Sequence, residues 1–119
     1  MTKEQDPTPM EAGCPFDRVL KFLSSEWTAH IIWTLGRSGE LRFAALRRAL
    51  PGAVSARVLS SRLKQLAAAG LIHRRDVGSV PPHVSYSLTD QGRQADALLT
   101  EVERLSEQLG PAFPPDIRR

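Results

Sequence analysis

A chain of 119 residues is sized for one compact domain, and its single cysteine excludes both an internal disulfide and a Cys-rich zinc site. Hydrophobic residues make up 41% of it, yet no apolar run approaches the roughly 18 to 20 residues needed to cross a bilayer. The opening Met1-Thr2-Lys3-Glu4-Gln5-Asp6 is too polar for a signal peptide, so a soluble cytoplasmic protein with no membrane partner is expected. The net charge of +3 is modest but unevenly placed. Residues 1–13 and 89–119 are each net −2, whereas Arg37, Arg42, Arg47, Arg48, Arg57, Arg62, Lys64, Arg74 and Arg75 face only Glu40 and Asp76, a local excess of +7. That segment is either a polyanion-binding surface or a solvated helical face.

In chain order, residues 1–13 contain Pro7, Pro9 and Gly13 with little apolar periodicity and read as a flexible arm. Pro15 suits the first helical position, and Phe16, Val19, Leu20 and Leu23 recur at helical spacing, predicting a helix over about 15–24. A second helix is predicted from about Glu26 to Gly36, with Trp27, Ile31, Ile32 and Leu35 near one face and Gly36 and Gly39 ending it. Leu41-Arg42 is extended. Phe43 to Leu50 makes a third helix of two turns, broken by Pro51-Gly52.

Ser55 opens a helix to Ala69 with Leu59, Leu63 and Leu66 facing inward and Gly70 as its stop. The period then becomes strand-like over 71–77 and 83–88, a hairpin whose long loop carries Pro81-Pro82 at its tip. Thr89 can cap a last helix through about Leu109, with Ala95, Leu98, Leu99, Val102, Leu105 and Leu109 in one stripe. Residues 110–119 are expected to fray, leaving one folded unit over 14–109.

Two short helices joined across Leu50–Val54 and followed by a hairpin have the layout of a winged helix-turn-helix, an α+β, mostly helical fold with a two-stranded β wing. A helix of about 12 Å diameter fits the major groove. Ser55, Ala56, Arg57, Ser60, Ser61 and Lys64 supply small hydroxyl and basic side chains that can approach base edges there. Arg42, Arg47, Arg48, Arg74 and Arg75 can serve phosphates, with Ser79 and His83 of the wing as further contacts. Ser55 can equally be only a cap, with the rest only solubilising the helix.

Several ordered motifs carry a family resemblance: Cys14-Pro15, Glu26-Trp27-Thr28, the run Arg42 to Gly52, Val58 to Leu66, Ala69-Gly70-Leu71-Ile72, Pro82 to Thr89 and Gln91-Gly92. Over about residues 14–109 the chain resembles the HxlR-type winged-helix regulators of bacteria. The resemblance implies a homodimer built from the terminal helices, recognition helices in successive major grooves of double-stranded DNA, and wings on flanking backbone or minor groove. It also implies, for some members, a response to electrophiles or oxidants through the cysteine that precedes the first helix. His30 and Trp33 depart from the usual aliphatic second helix.

The apolar stripe of the last helix exceeds what so small a core needs, so much of it should meet another chain. With the first helix, this marks Phe16, Val19, Leu20, Leu98, Leu99, Val102 and Leu105 as the expected dimer interface. Cys14 stands at the N-cap of the first helix with Pro15 after it and Arg18 one turn on, a setting that favours thiolate. It reads either as a thiol switch or as a small capping residue. As a switch it could pair only with Cys14 of a second chain or with a small thiol, since the chain has no second cysteine.

His30, His73 and His83 are not spaced as metal ligands, and no phosphate loop or nucleophile motif is present, so neither enzyme activity nor a cofactor is expected. His30 is expected in the core or at an interface. Two alternatives stay open: a winged-helix module that binds protein, and a small-ligand-sensing regulator with a pocket at the dimer interface lined by Trp27, Trp33 and neighbouring apolar residues.

Overall fold

A computed structural model describes residues 6–110. Residues 1–5 of the expected arm and 111–119 of the expected tail lie outside the described residues. The elements run α1 (Pro15–Ser24), α2 (Thr28–Ser38), β1 (Leu41–Arg42), α3 (Phe43–Ala49), α4 (Ala56–Ala68), β2 (Ile72–Asp76), β3 (Val84–Leu88) and α5 (Asp90–Leu109).

Helix starts follow local chemistry. Cys14 caps α1, its Sγ accepting the Asp17 N–H at 3.4 Å, with Pro15 at the first helical position where its missing N–H is not needed. Ser55 caps α4 through Val58 N–H to Oγ at 3.0 Å. Thr89 caps α5 through Gly92 N–H to Oγ1 at 3.0 Å, and its own hydroxyl donates to the Gly70 carbonyl at 2.6 Å.

The second helix departs from expectation at both ends. It begins at Thr28 rather than Glu26, because Trp27 takes a left-handed φ of 75° and the turn before it is closed by Ser25. The Ser25 hydroxyl lies 2.6 Å from the Phe22 carbonyl and 2.8 Å from Oγ1 of the buried Thr28. It also runs through Gly36 to Ser38 and ends at Gly39, whose φ of 78° suits glycine. Gly36 serves a close approach instead of a stop: the Asp96 carboxylate of α5 lies where a Cβ would stand. His30 is exposed, not in the core, because Ile31, Ile32 and Leu35 turn inward and leave it on the outer side of α2. Its ring meets Trp27 edge-on at 5.5 Å.

The wing hairpin gains a third strand. The sheet order is β1-β3-β2, all antiparallel, with Leu41 opposite Tyr86, Arg42 opposite Ser85, and β2 paired from Ile72↔Leu88 to Asp76↔Val84. One face of this sheet joins the core through Ile72 and Leu88. There they meet Ile31, Ile32 and Leu35 of α2, Leu46 of α3, Leu50 and Val54 of the turn, and Leu59, Leu63 and Leu66 of α4. Each such side chain stabilises the fold by about 1.5–3 kcal/mol.

Helix α5 packs along α2. Ala95 and Leu99 turn to the core, while Arg37 reaches across to Asp96 at 3.1 Å and to the Thr100 hydroxyl at 2.7 Å. The rest of the stripe, Leu98, Val102, Leu105 and Leu109, is exposed.

Candidate nucleic-acid interface

Helix α4 divides by its period. Leu59, Leu63 and Leu66 are buried, and Ala56, Arg57, Ser61 and Lys64 are exposed on the other side with Ser55 at the leading end. Ser60 is half-buried at the border, where a groove of about 270 Å³ is lined by Ser60, Lys64, Arg74 and Tyr86 among others. The angle between α3 and α4 is braced by Arg47, whose Nε donates to the Val54 carbonyl at 2.7 Å. Arg62 Nε donates to the Glu26 carbonyl at 2.7 Å and ties α4 to the turn between α1 and α2.

The positive run therefore splits by use. Arg37, Arg47, Arg62 and Arg75 are engaged within the chain, as bridges between elements. Arg42, Arg48, Arg57, Lys64 and Arg74 make no ion pair or side-chain hydrogen bond among the described residues.

Arg74 and Arg75 part company because successive strand residues point to opposite faces. Arg74 lies opposite Tyr86 on the face that carries Ile72 and Leu88, beside α4. Arg75 lies opposite Ser85, which lies opposite Arg42, so these three form a row on the outer face. Around that row is a groove of about 510 Å³ lined by Glu40, Arg42, Arg75, Val77, Ser79, His83 and Ser85. Glu40 accepts Arg75 Nε at 2.9 Å and Nη2 at 3.3 Å, and also accepts the Ser85 hydroxyl. The Arg75 hydrogen bonds, then that of Ser85, hold the Glu40 carboxyl below its usual range, and the same pairing raises Arg75. Ser79 donates to the Pro81 carbonyl at 2.7 Å, and the His83 carbonyl accepts Val77 N–H at 3.2 Å, closing the hairpin.

Away from this surface, Phe16, Val19 and Leu20 of α1 and Leu98, Val102 and Leu105 of α5 are exposed, up to 60% at Phe16 and 63% at Leu98. Leu99, expected with them, is half-buried against the core. Cys14 is half-buried. A third groove, about 470 Å³, lies between α2, the end of α3 and α5 and is mostly apolar, with Trp33, Leu99 and Val102 in its wall. Trp33 Nε1 donates to Glu103 at 3.3 Å at its rim, whereas Trp27 takes no part in the wall. Among the described residues no three of His, Cys, Asp and Glu gather as a metal site. In the sequence Arg37 and Arg62 count only as part of the basic run, and their internal partners, like the role of Glu40, are not foreseen there. Glu40 alone carried a signal, as the one acid inside the basic run before Asp76.

Helices α2 to α4 with the paired β2–β3 ribbon define a winged helix-turn-helix protein. Residues 22–112 match the HxlR-like helix-turn-helix family, and the chain belongs to that family, whose members are transcriptional regulators rather than enzymes. It is 38% identical to the uncharacterised HTH-type transcriptional regulator YdzF of Bacillus subtilis over 74% of this chain and 80% of that protein. Among solved structures it is similar to the reduced form of the transcriptional regulator YodB from B. subtilis. There the identity is 26% and the TM-score 0.70, over 85% of this chain and 98% of that one. It is likewise similar to the redox regulator HypR in its reduced form, at 30% identity and TM-score 0.70, over 81% of this chain and 93% of that one.

Proposed function

We propose that this regulator binds double-stranded DNA sequence-specifically as a homodimer, with α4 in the major groove and the wing on neighbouring backbone. The observation that carries the reading is the outer side of α4, which presents Arg57, Ser61 and Lys64 with no internal partner for either cation among the described residues. On this reading Ser55, Ala56, Arg57, Ser60, Ser61 and Lys64 meet base edges, while Arg42, Arg48 and Arg74 meet phosphates. Arg47 sets the helix angle, and Arg75, Ser79 and His83 form the wing-base groove. The exposed apolar residues of α1 and α5 supply the dimer contact. No helix among the described residues is long and apolar enough to cross a membrane, which is consistent with action in the cytoplasm. Selection of bound duplexes from a random library tests the whole reading. The expected product is an imperfect inverted repeat with half-sites about 10 base pairs apart or a simple multiple of that. A library with no enriched sequence would overturn it.

A response to oxidants or electrophiles through Cys14 is the second part of the proposal. Its support is the similarity to HypR, named as a redox regulator, and the half-buried Cys14 at the head of α1, the helix that carries the exposed Phe16 and Val19 of the proposed dimer contact. Diamide treatment should change both mass and DNA affinity in the wild type and neither in Cys14→Ser. An unmodified wild-type thiol would remove the switch and leave DNA binding intact. A small-molecule effector, if the regulator takes one, has room in the apolar groove beside Trp33.

A further inference from the structure

The groove at the base of the wing is lined mainly by residues that can donate hydrogen bonds. Its lining includes two guanidinium groups, the Ser85 hydroxyl and His83, a set suited to an anion with several acceptor oxygens, while the Ser79 hydroxyl is turned to the Pro81 carbonyl. Arginine's planar fork matches phosphate in particular. The one acid in the wall, Glu40, already takes what a phosphate would take: both Nε and Nη2 of Arg75 and the hydroxyl of Ser85. Glu40 follows Gly39 at the end of α2 and precedes β1, so it is held at the sheet edge by the chain itself. Arg42, next in the same row, has no such partner among the described residues and is the group an incoming anion would meet unpaired.

We propose that Glu40 is an internal stand-in for a DNA phosphate, holding Arg75 and Ser85 in the free protein and giving them up when a backbone phosphate enters the groove. The inference rests on the reading that the chain binds duplex DNA. Exchange is feasible because the pair is wet: the side chains of Arg75 and Glu40 are 63% and 37% exposed, so water can replace either partner as they separate. The consequence is sequence-independent. Backbone contacts add affinity for every sequence alike, and each cation held back by an internal carboxylate trims that common term. The side chains of α4 that would read bases lie on another face and are untouched. Glu40 thus lowers the baseline affinity for operator and random DNA alike, and leaves discrimination between them to α4.

Two measurements on the full chain test this. In a salt titration on a random-sequence duplex, Glu40→Gln should bind tighter, about fivefold at low salt for an exposed pair of this kind. Its plot of log affinity against log salt should steepen by about one unit, the mark of one more phosphate neutralised. Thermal melts of the variant should fall only slightly below the wild type, since an exposed pair contributes little stability, and Glu40→Ala should reproduce the gain by a different side chain. In the wild type, the Arg75 Nε–H signal, identified by its loss in Arg75→Lys, should shift when saturating duplex is added. An unchanged affinity and slope in both Glu40 variants would overturn the proposal, and so would an Arg75 signal that ignores bound duplex. A wild type that binds no duplex at low salt would instead remove the DNA-binding reading on which the proposal stands, a failure visible before any variant is made.

Discussion

Helices α4 and α5 are both amphipathic, and they dispose of their apolar residues in opposite ways. Helix α4 buries its whole stripe inside the chain, with Leu59, Leu63 and Leu66 each at 2% exposure or less. Helix α5 commits only Ala95 and Leu99 and leaves Leu98, Val102, Leu105 and Leu109 in solvent. What each helix has left over states what it can recognise. The free side of α4 is polar and basic, fit for groove edges and phosphates. The free side of α5 is apolar, and water opposes leaving such a stripe uncovered.

The largest effect should come from charging the α5 stripe. Leu98→Glu with Val102→Glu should give a monomer by sedimentation at micromolar concentration and weaken operator binding by about a hundredfold or more, as two linked half-sites become one. Its melting temperature as an isolated chain should scarcely fall. A variant that stays dimeric would erase the contrast between the two helices. Next, Leu59→Ala should destabilise the fold by about 2–5 kcal/mol in denaturant titration, because it empties a closed core. Leu105→Ala, made on the open stripe, should cost the dissociated chain far less. The polar side of α4 is probed by Arg57→Ala, expected to reduce discrimination between operator and mismatched duplex by about 1–3 kcal/mol in competition binding. An unchanged preference would mean that another surface reads the bases. Smaller again, Ser55→Ala should remove about 0.5–2 kcal/mol of stability through the lost cap, measured by thermal melting.

The smallest effect concerns acid. The folded Glu40 carboxyl titrates below its ordinary value of 4.5, so the stability of its pairing is fully present above that value and fades as pH falls through the lowered one. A pH titration of unfolding should show Glu40→Gln and wild type converging at the acid end.

Features set by neighbours along the chain were legible in the sequence. Caps at Cys14, Ser55 and Thr89, the inward residues of α4 and the two long strands need only local spacing and side-chain oxygen or sulfur at the right offset. What escaped was set by residues far away in sequence. Gly36 reads as a stop by composition, and only the approach of Asp96 from α5 explains why the helix runs through it. Trp27 carries no signal for a left-handed backbone. Arg74 and Arg75 look equivalent as a basic pair, and strand alternation sends one beside α4 and the other to Glu40, 35 residues away. Arg47 looks like its neighbour Arg48 until the turn brings the Val54 carbonyl within reach. Charge counts identify a surface, while the pairing within it depends on topology.

The contact at Gly36 bears on mechanics. With no side chain there, α2 and α5 lie close enough for Arg37 to grip Asp96 and Thr100, and the Arg37 guanidinium also sits 5.0 Å from the Trp33 ring centre. The two helices are coupled like the pivoted arms of a pair of calipers whose joint has been tightened. A tilt of α5 relative to α2 would have to break this joint, and α2 shares its core residues Ile31, Ile32 and Leu35 with Leu59, Leu63 and Leu66 of α4.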